Sequence, residues 1–252
     1  MRKISRGRSE NDEPLSAGRV EYLEQARQRV RTRRIRRTAV LLVLLTAVVL
    51  FATGVVGISV TMAKDFIDTA RIALLPGSGW PQQTGLGDLT AVQPMSGSFV
   101  AMDEDACVVY SLGGTRLAGI QSGYARPALA AGKTRFVLYN RSGNELRVES
   151  RTQNLYSKTL ENSIYLCAMS DTGTLAVATD SADSTARLTV YTPTMTEQLH
   201  WDMTGTQGTP VRMAFAADSR RLAVAAVTSS AGQLQANLFV LSLAQGDPVQ
   251  LS

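Results

Sequence analysis

Asp103, Glu104 and Asp105 stand in a row, and Asp180 and Asp183 form a second acidic group further along. Clustered carboxylates suit a calcium ion or a glycan-binding rim, and opposed pairs of them suit glycoside hydrolysis. Both groups fall in predicted loops between strands, where solvated turns are the simpler account. The single histidine, His200 in QLHWDM, lies on a predicted outer strand, and no GxSxG elbow supplies it with a nucleophile. Cys107 and Cys167 are the only cysteines, too few for a structural zinc site. No phosphate-binding glycine loop or dinucleotide fingerprint is present, so no cofactor is expected. The five carboxylates are therefore candidate binding-rim residues, and no residue is assigned a catalytic, cofactor-binding or metal-binding role.

What must position these loops is a repeated strand unit. Leu175-Ala-Val-Ala178 in SDTGTLAVAT recurs 47 residues later as Leu222-Ala-Val-Ala225 in ADSRRLAVAA, with Asp171 and Asp218 at the same offset. Two further segments, SFVAMD (98–103) and RFVLYN (135–140), resemble them. Aligning Phe99, Phe136, Leu175 and Leu222 gives spacings of 37, 39 and 47 residues. Each anchor has one short apolar run before it and two after it, broken by Gly, Asp, Asn and Ser. Short alternating or β-branched runs between such turn residues predict strands. Four strands recurring at about 40 residues fit propeller blades, since one blade cannot cover both its faces alone. The blades are predicted near 89–122, 126–160, 163–204 and 210–252; an irregular β-sandwich is the competing architecture. In this register Cys107 and Cys167 lie a whole blade apart, beyond disulfide reach.

Upstream, the composition changes. Residues 1–37 hold 12 of the 26 Lys/Arg and 5 of the 21 Asp/Glu, leaving 14 against 16 for the rest of the chain. The positive charge thus belongs to a tail, which argues against a nucleic-acid-binding domain. Thr38–Ala63 carries no charged residue, and 14 of its 26 residues are Leu, Ile, Val or Phe. As a helix it would reach roughly 39 Å, more than the ~30 Å of a bilayer's hydrocarbon core. It is too long for a signal-peptide core and is read as an uncleaved anchor. Arg31, Arg33, Arg34, Arg36 and Arg37 precede it directly, which predicts a cytoplasmic N-terminus and residues 64–252 outside. Thr53, Gly57 and Thr61 repeat every four residues, a small-residue face offering weak self-association in the membrane. KDFIDTARIALL is expected to extend the helix, and residues 76–88, with two Pro and four Gly, to form a stalk.

The charged tail, the single span and the segments ALLPGSGWP, YNRSGNEL, GTLAVAT and RRLAVAAV together resemble a family of Gram-positive single-pass membrane proteins of unknown function. The resemblance covers about residues 38–252. It implies a WD-repeat-like or quinoprotein-like β-propeller outside the plasma membrane, and it transfers no catalytic residue. Such domains run longer, with more blades than the four counted here.

The expected protein is an all-β ectodomain, a partial β-propeller, preceded by one transmembrane α-helix. Its expected role is a non-catalytic binding or scaffold module at the cell envelope, with the lipid bilayer and an outside protein or glycan ligand as partners. An envelope-glycan enzyme using loop carboxylates, or a transmembrane sensor, are the alternatives. Four blades are the lower limit for a closed ring. An open arc is therefore expected, with apolar faces exposed on the first and fourth blades.

Overall fold

The computed structural model describes Leu42 and residues 60–244 and 248–251. The basic tail, its arginines and nearly all of the predicted span lie outside the described residues, as do Thr53 and Gly57. Among the described residues, no helix is long and apolar enough to cross a membrane.

Helix α1 (Val60–Leu74) comes first. It stops where Pro76 and Gly77 follow, since a proline ring cannot join the helical hydrogen-bond ladder. Four antiparallel sheets follow, each a four-stranded meander in chain order. Blade A holds β1 (Ala91–Met95), β2 (Ser98–Met102), β3 (Ala106–Ser111) and β4 (Arg116–Gln121). Blade B holds β5 (Pro127–Ala131), β6 (Arg135–Asn140), β7 (Glu145–Ser150) and β8 (Asn154–Thr159). Blade C holds β9 (Ile164–Met169), β10 (Leu175–Thr179), β11 (Ala186–Tyr191) and β12 (Glu197–Met203). Blade D holds β13 (Thr209–Phe215), β14 (Arg221–Ser230), β15 (Gln233–Ser242) and β16 (Pro248–Leu251).

The four anchors Phe99, Phe136, Leu175 and Leu222 all lie on the second strand of their blades. Strand alternation then divides each second strand between two cores. In β10, Leu175 and Val177 face blade B, while Ala176 and Ala178 face blade D. In β6, Phe136 and Leu138 face blade A, while Val137 and Tyr139 face blade C. This explains why LAVAT is buried along its whole length. The small alanines admit large side chains of the next blade, Leu222, Phe239 and Leu241, and Trp201 and Met203 of their own blade share that core. The two LAVA strands are equivalent, but the turns before them are not. Gly173 and Ser219 are the left-handed residues, closing turns at Ser170 O and Ala216 O respectively. Asp171 and Asp218 therefore occupy different turn positions, because the fourth blade has one more residue between its turn and its anchor leucine, Leu222.

First strands β1, β5, β9 and β13 neighbour one another in that order, and among the described residues no extensive packing joins blade A to blade D. The arc is open. Its first face is nevertheless covered, contrary to the sequence expectation. Residues 76–90 pass over blade A as a strap, bringing Leu86 onto Ala101, Val108 and Tyr110. Trp80 packs its ring 5.7 Å from Phe99 and 5.6 Å from Tyr110. Its indole N–H donates to Leu112 O at 2.9 Å. The glycines of the presumed stalk explain the close fit: Gly79 N–H donates to Gly113 O at 2.9 Å, and a Cβ on Gly114 would meet Gly79 O. The strap takes the place of a preceding blade. On blade D the outward positions Ala223 and Ala225, equivalents of Ala176 and Ala178, are only half-buried, and Leu238 and Leu234 are exposed.

Candidate functional site

Meander topology gives the arc two edges. The turns joining first to second and third to fourth strands gather on one edge; those joining second to third strands gather on the other. We call the first edge basal, because helix α1 docks there, and the second distal.

The basal site is built on two arginines. Arg135 opens β6 and is 1% exposed; Arg151 directly follows β7 and is fully buried. Arg135 Nε donates to Asp65 Oδ2 at 3.0 Å, and its Nη1 donates to Pro193 O at 2.7 Å in the β11–β12 turn. Arg151 Nη1 donates to Ser96 O at 2.9 Å in the β1–β2 turn, and its Nη2 donates to Thr69 Oγ1 at 2.6 Å. Thr134 and Thr152 hydroxyls donate to Asp65 and Asp68 at 3.2 and 3.1 Å. A buried cation persists when opposite charge and hydrogen bonds surround it. Here burial lowers the basicity of the Arg151 guanidinium, and Asp68 and Asp65 oppose that shift. The result is a helix fastened to turns of blades A, B and C. Beside it runs a cleft of about 550 Å³ lined by Asp65, Arg71, Arg135, Asn154 and Tyr156. Composition and spacing alone do not point to this site. Its one signal is the polar stripe Asp65, Asp68 and Thr69, at helical spacing among the apolar residues Phe66, Ile67 and Ile72.

The candidate rim residues lie on the distal edge, in the β2–β3 and β10–β11 loops, with blade B between them. The structure does not make them alike. Asp103 is buried and serves the backbone: Oδ2 accepts from Gly87 N–H at 2.7 Å, and Oδ1 from Asp105 and Ala106 N–H at 2.9 and 2.7 Å. Those bonds, Gly87's first, hold its carboxyl below the usual aspartate pKa. It ties the strap to blade A. Glu104, Asp105, Asp180 and Asp183 are exposed. Asp180 accepts from the Tyr165 hydroxyl at 2.8 Å. Among the described residues no three His, Cys, Asp or Glu side chains converge as metal ligands would. The distal edge also carries the longest hairpin, β14–β15, ten residues a side. It turns at Ala231 and Gly232, both left-handed, and holds Leu234 81% exposed. His200 is exposed on β12, with Nδ1 3.0 Å from Glu197 Oε1 and no nucleophile presented to it. Cys107 and Cys167 are buried free thiols in separate inter-blade cores.

Along the inside of the arc, the first strands line a groove of about 490 Å³ that includes Leu129, Leu166 and Val211, with Arg141 and Arg212 among the lining side chains. Gln93 bridges two of these strands, donating to Leu129 O at 3.1 Å and accepting from Ala131 N–H at 2.6 Å.

A sequence profile described as "Family of unknown function (DUF5711)" matches residues 82–247. No match is found among curated proteins. Among solved structures, the chain is similar to KlAtg21 in complex with the coiled coil of AgAtg16, at 14% identity and TM-score 0.51, covering 64% of this chain and 54% of that one. It is also similar to Hsv2 of Kluyveromyces marxianus (14%, TM-score 0.48, 63% and 48%) and the Pan2 WD40 domain of Neurospora crassa (10%, 0.45, 64% and 50%). The chain spans about half the length of these structures. The likeness is one of fold alone, an array of four-stranded β-propeller blades.

Proposed function

The chain belongs to the DUF5711 family, whose function is unknown, and we propose that it is a membrane-anchored, extracytoplasmic binding or scaffold module of the cell envelope. The observation that carries this reading is the division of the arc into two edges. Arg135 and Arg151 fasten α1 to the basal edge, and α1 begins inside the uncharged stretch Thr38–Ala63, at Val60. With α1 on the basal edge, the distal loops and the β14–β15 hairpin lie on the edge away from it. Loops on a rigid scaffold are the ordinary place for recognition. The WD40-like fold suits a protein ligand, and KlAtg21 is a relative in fold that binds a coiled coil. Glycan hydrolysis is the weaker reading, because Asp103 is committed to backbone amides and blade B separates the two acidic groups.

Site-specific photo-crosslinking in living cells tests this. A crosslinker replacing Glu104, Asp183 or Leu234 should give a shared, discrete adduct from outside the membrane, and one replacing Lys133 on the basal edge should not. Adducts from the basal position alone, or protection of the propeller from protease in intact cells, would refute the reading.

A further inference from the structure

Helix α1 is amphipathic in the inverse of the usual sense: its polar side faces the protein and its apolar side faces out. Asp65, Asp68 and Thr69 are engaged by Arg135 and Arg151, and Ile72 is buried on the same side. Phe66 is 75% exposed, Ile67 65% and Leu74 84%, and Ala70 and Ala73 are exposed between them. At about 100° per residue these five positions form a stripe roughly 120° wide, the width of a face that covers a core. Nothing among the described residues covers it. The arrangement is enforced, because turning the stripe inward would strip two buried guanidinium groups of their carboxylate and hydroxyl partners.

We infer that α1 is an interfacial helix whose stripe, Phe66, Ile67, Ala70, Ala73 and Leu74, lies in the headgroup–acyl boundary of a lipid bilayer. This rests on the membrane-anchored reading above. Three features select lipid as the occupant. The uncharged segment Thr38–Ala63 ends three residues before Phe66, about 5 Å along a helix, so the stripe begins where that segment would meet the bilayer surface. Arg71 is exposed at the margin of the stripe, where a guanidinium can reach lipid phosphate while the stripe is immersed. Phe66, Ala70 and Leu74 also form no part of the basal cleft, which Ile67 alone of the stripe borders. Immersion by about 5–10 Å, usual for such helices, would bring the basal turns of blades A, B and C against the headgroups. The propeller would then sit on the membrane with a fixed tilt.

The test uses the full chain reconstituted into phosphatidylcholine/phosphatidylglycerol vesicles, carrying a spin label at Phe66→Cys, Ile67→Cys or Leu74→Cys, and at Glu104→Cys for reference. The buried native thiols do not compete for the label. The expected result is loss of access to an aqueous nickel relaxant at the three stripe positions, with oxygen access raised, and the reverse at position 104. Nickel access at the stripe in a chain that resists alkaline extraction overturns the inference and leaves the anchored reading intact. Spin–spin broadening that disappears on dilution with unlabelled chain shows a second copy on the stripe, and also overturns it. Release of the chain by alkaline extraction overturns both.

Discussion

Arg135 donates to the carbonyl of Pro193 at 2.7 Å, and through the same guanidinium holds Asp65. One side chain of blade B thus joins blade C to the helix. Removing one partner of such a buried pair strands the other. Arg135→Met is expected to lower stability by about 3 kcal/mol. Arg135→Lys recovers little of it, because a single ammonium cannot reach Pro193 O and Asp65 in the planar geometry of a guanidinium. Asp65→Asn, which keeps an acceptor, costs less. Urea denaturation followed by tryptophan fluorescence ranks the three; equal midpoints for Met and wild type would refute the bridge.

The strap over blade A makes a second, separate prediction. Trp80→Ala removes two ring contacts and a hydrogen bond, and should cost about 2 kcal/mol although the side chain is half exposed. Gly114→Ala should loosen the same segment, since position 114 is left-handed and faces Gly79 O. Faster cleavage between residues 76 and 90 under limited proteolysis, with blades B to D intact, is the expected sign in both variants.

Acid should act on the strap through Asp103. Its folded pKa lies below the unfolded value of about 3.9, so its ion contributes stability above that value. The contribution is lost as pH falls through the lower folded pKa. Asp103→Asn should be less stable than wild type at pH 6, and the gap should narrow below pH ~4. A gap that widens on acidification would contradict the sign.

Burial pushes the Cys107 thiol up to about 12 and raises Cys167 well above the ordinary value. Only the thiolate is reactive. Both cysteines should resist iodoacetamide at pH 8 in the native chain and react together on unfolding; labelling of either alone would mean its core opens locally.

The blade strands were legible because a strand with a core on each side must be apolar throughout and small wherever the next blade's large side chains enter. LAVA meets both conditions, so β10 and β14 could be matched by eye. The turns were less legible: Asp171 and Asp218 agree in spacing with the strands, yet sit at different turn positions. The strap was hidden because Pro76, Gly77 and Gly79 read equally as a free linker and as a chain thin enough to lie on another backbone. Only the partner surface, Gly113 and Gly114, distinguishes the two. The basal arginines were hidden for a similar reason. Arg135 and Arg151 look like surface charges until the helix supplying their anions is brought 70 and more residues back along the chain. Among the acidic loops, sequence identified the edge correctly as a set of loops but could not tell a brace, Asp103, from the exposed Glu104 beside it.

In a closed ring every blade is an arch stone, held on both flanks. Here blades A, B and C are splinted by α1, and A is also clamped by the strap, whereas blade D is a cantilever. Its support is the seam with blade C, where Trp201 meets Phe239 edge-on at 5.1 Å. A force applied at the β14–β15 tip is therefore delivered as torque to that seam before it reaches the helix. Among the described residues the helix splints one end of the arc, and the longest hairpin is mounted on the other.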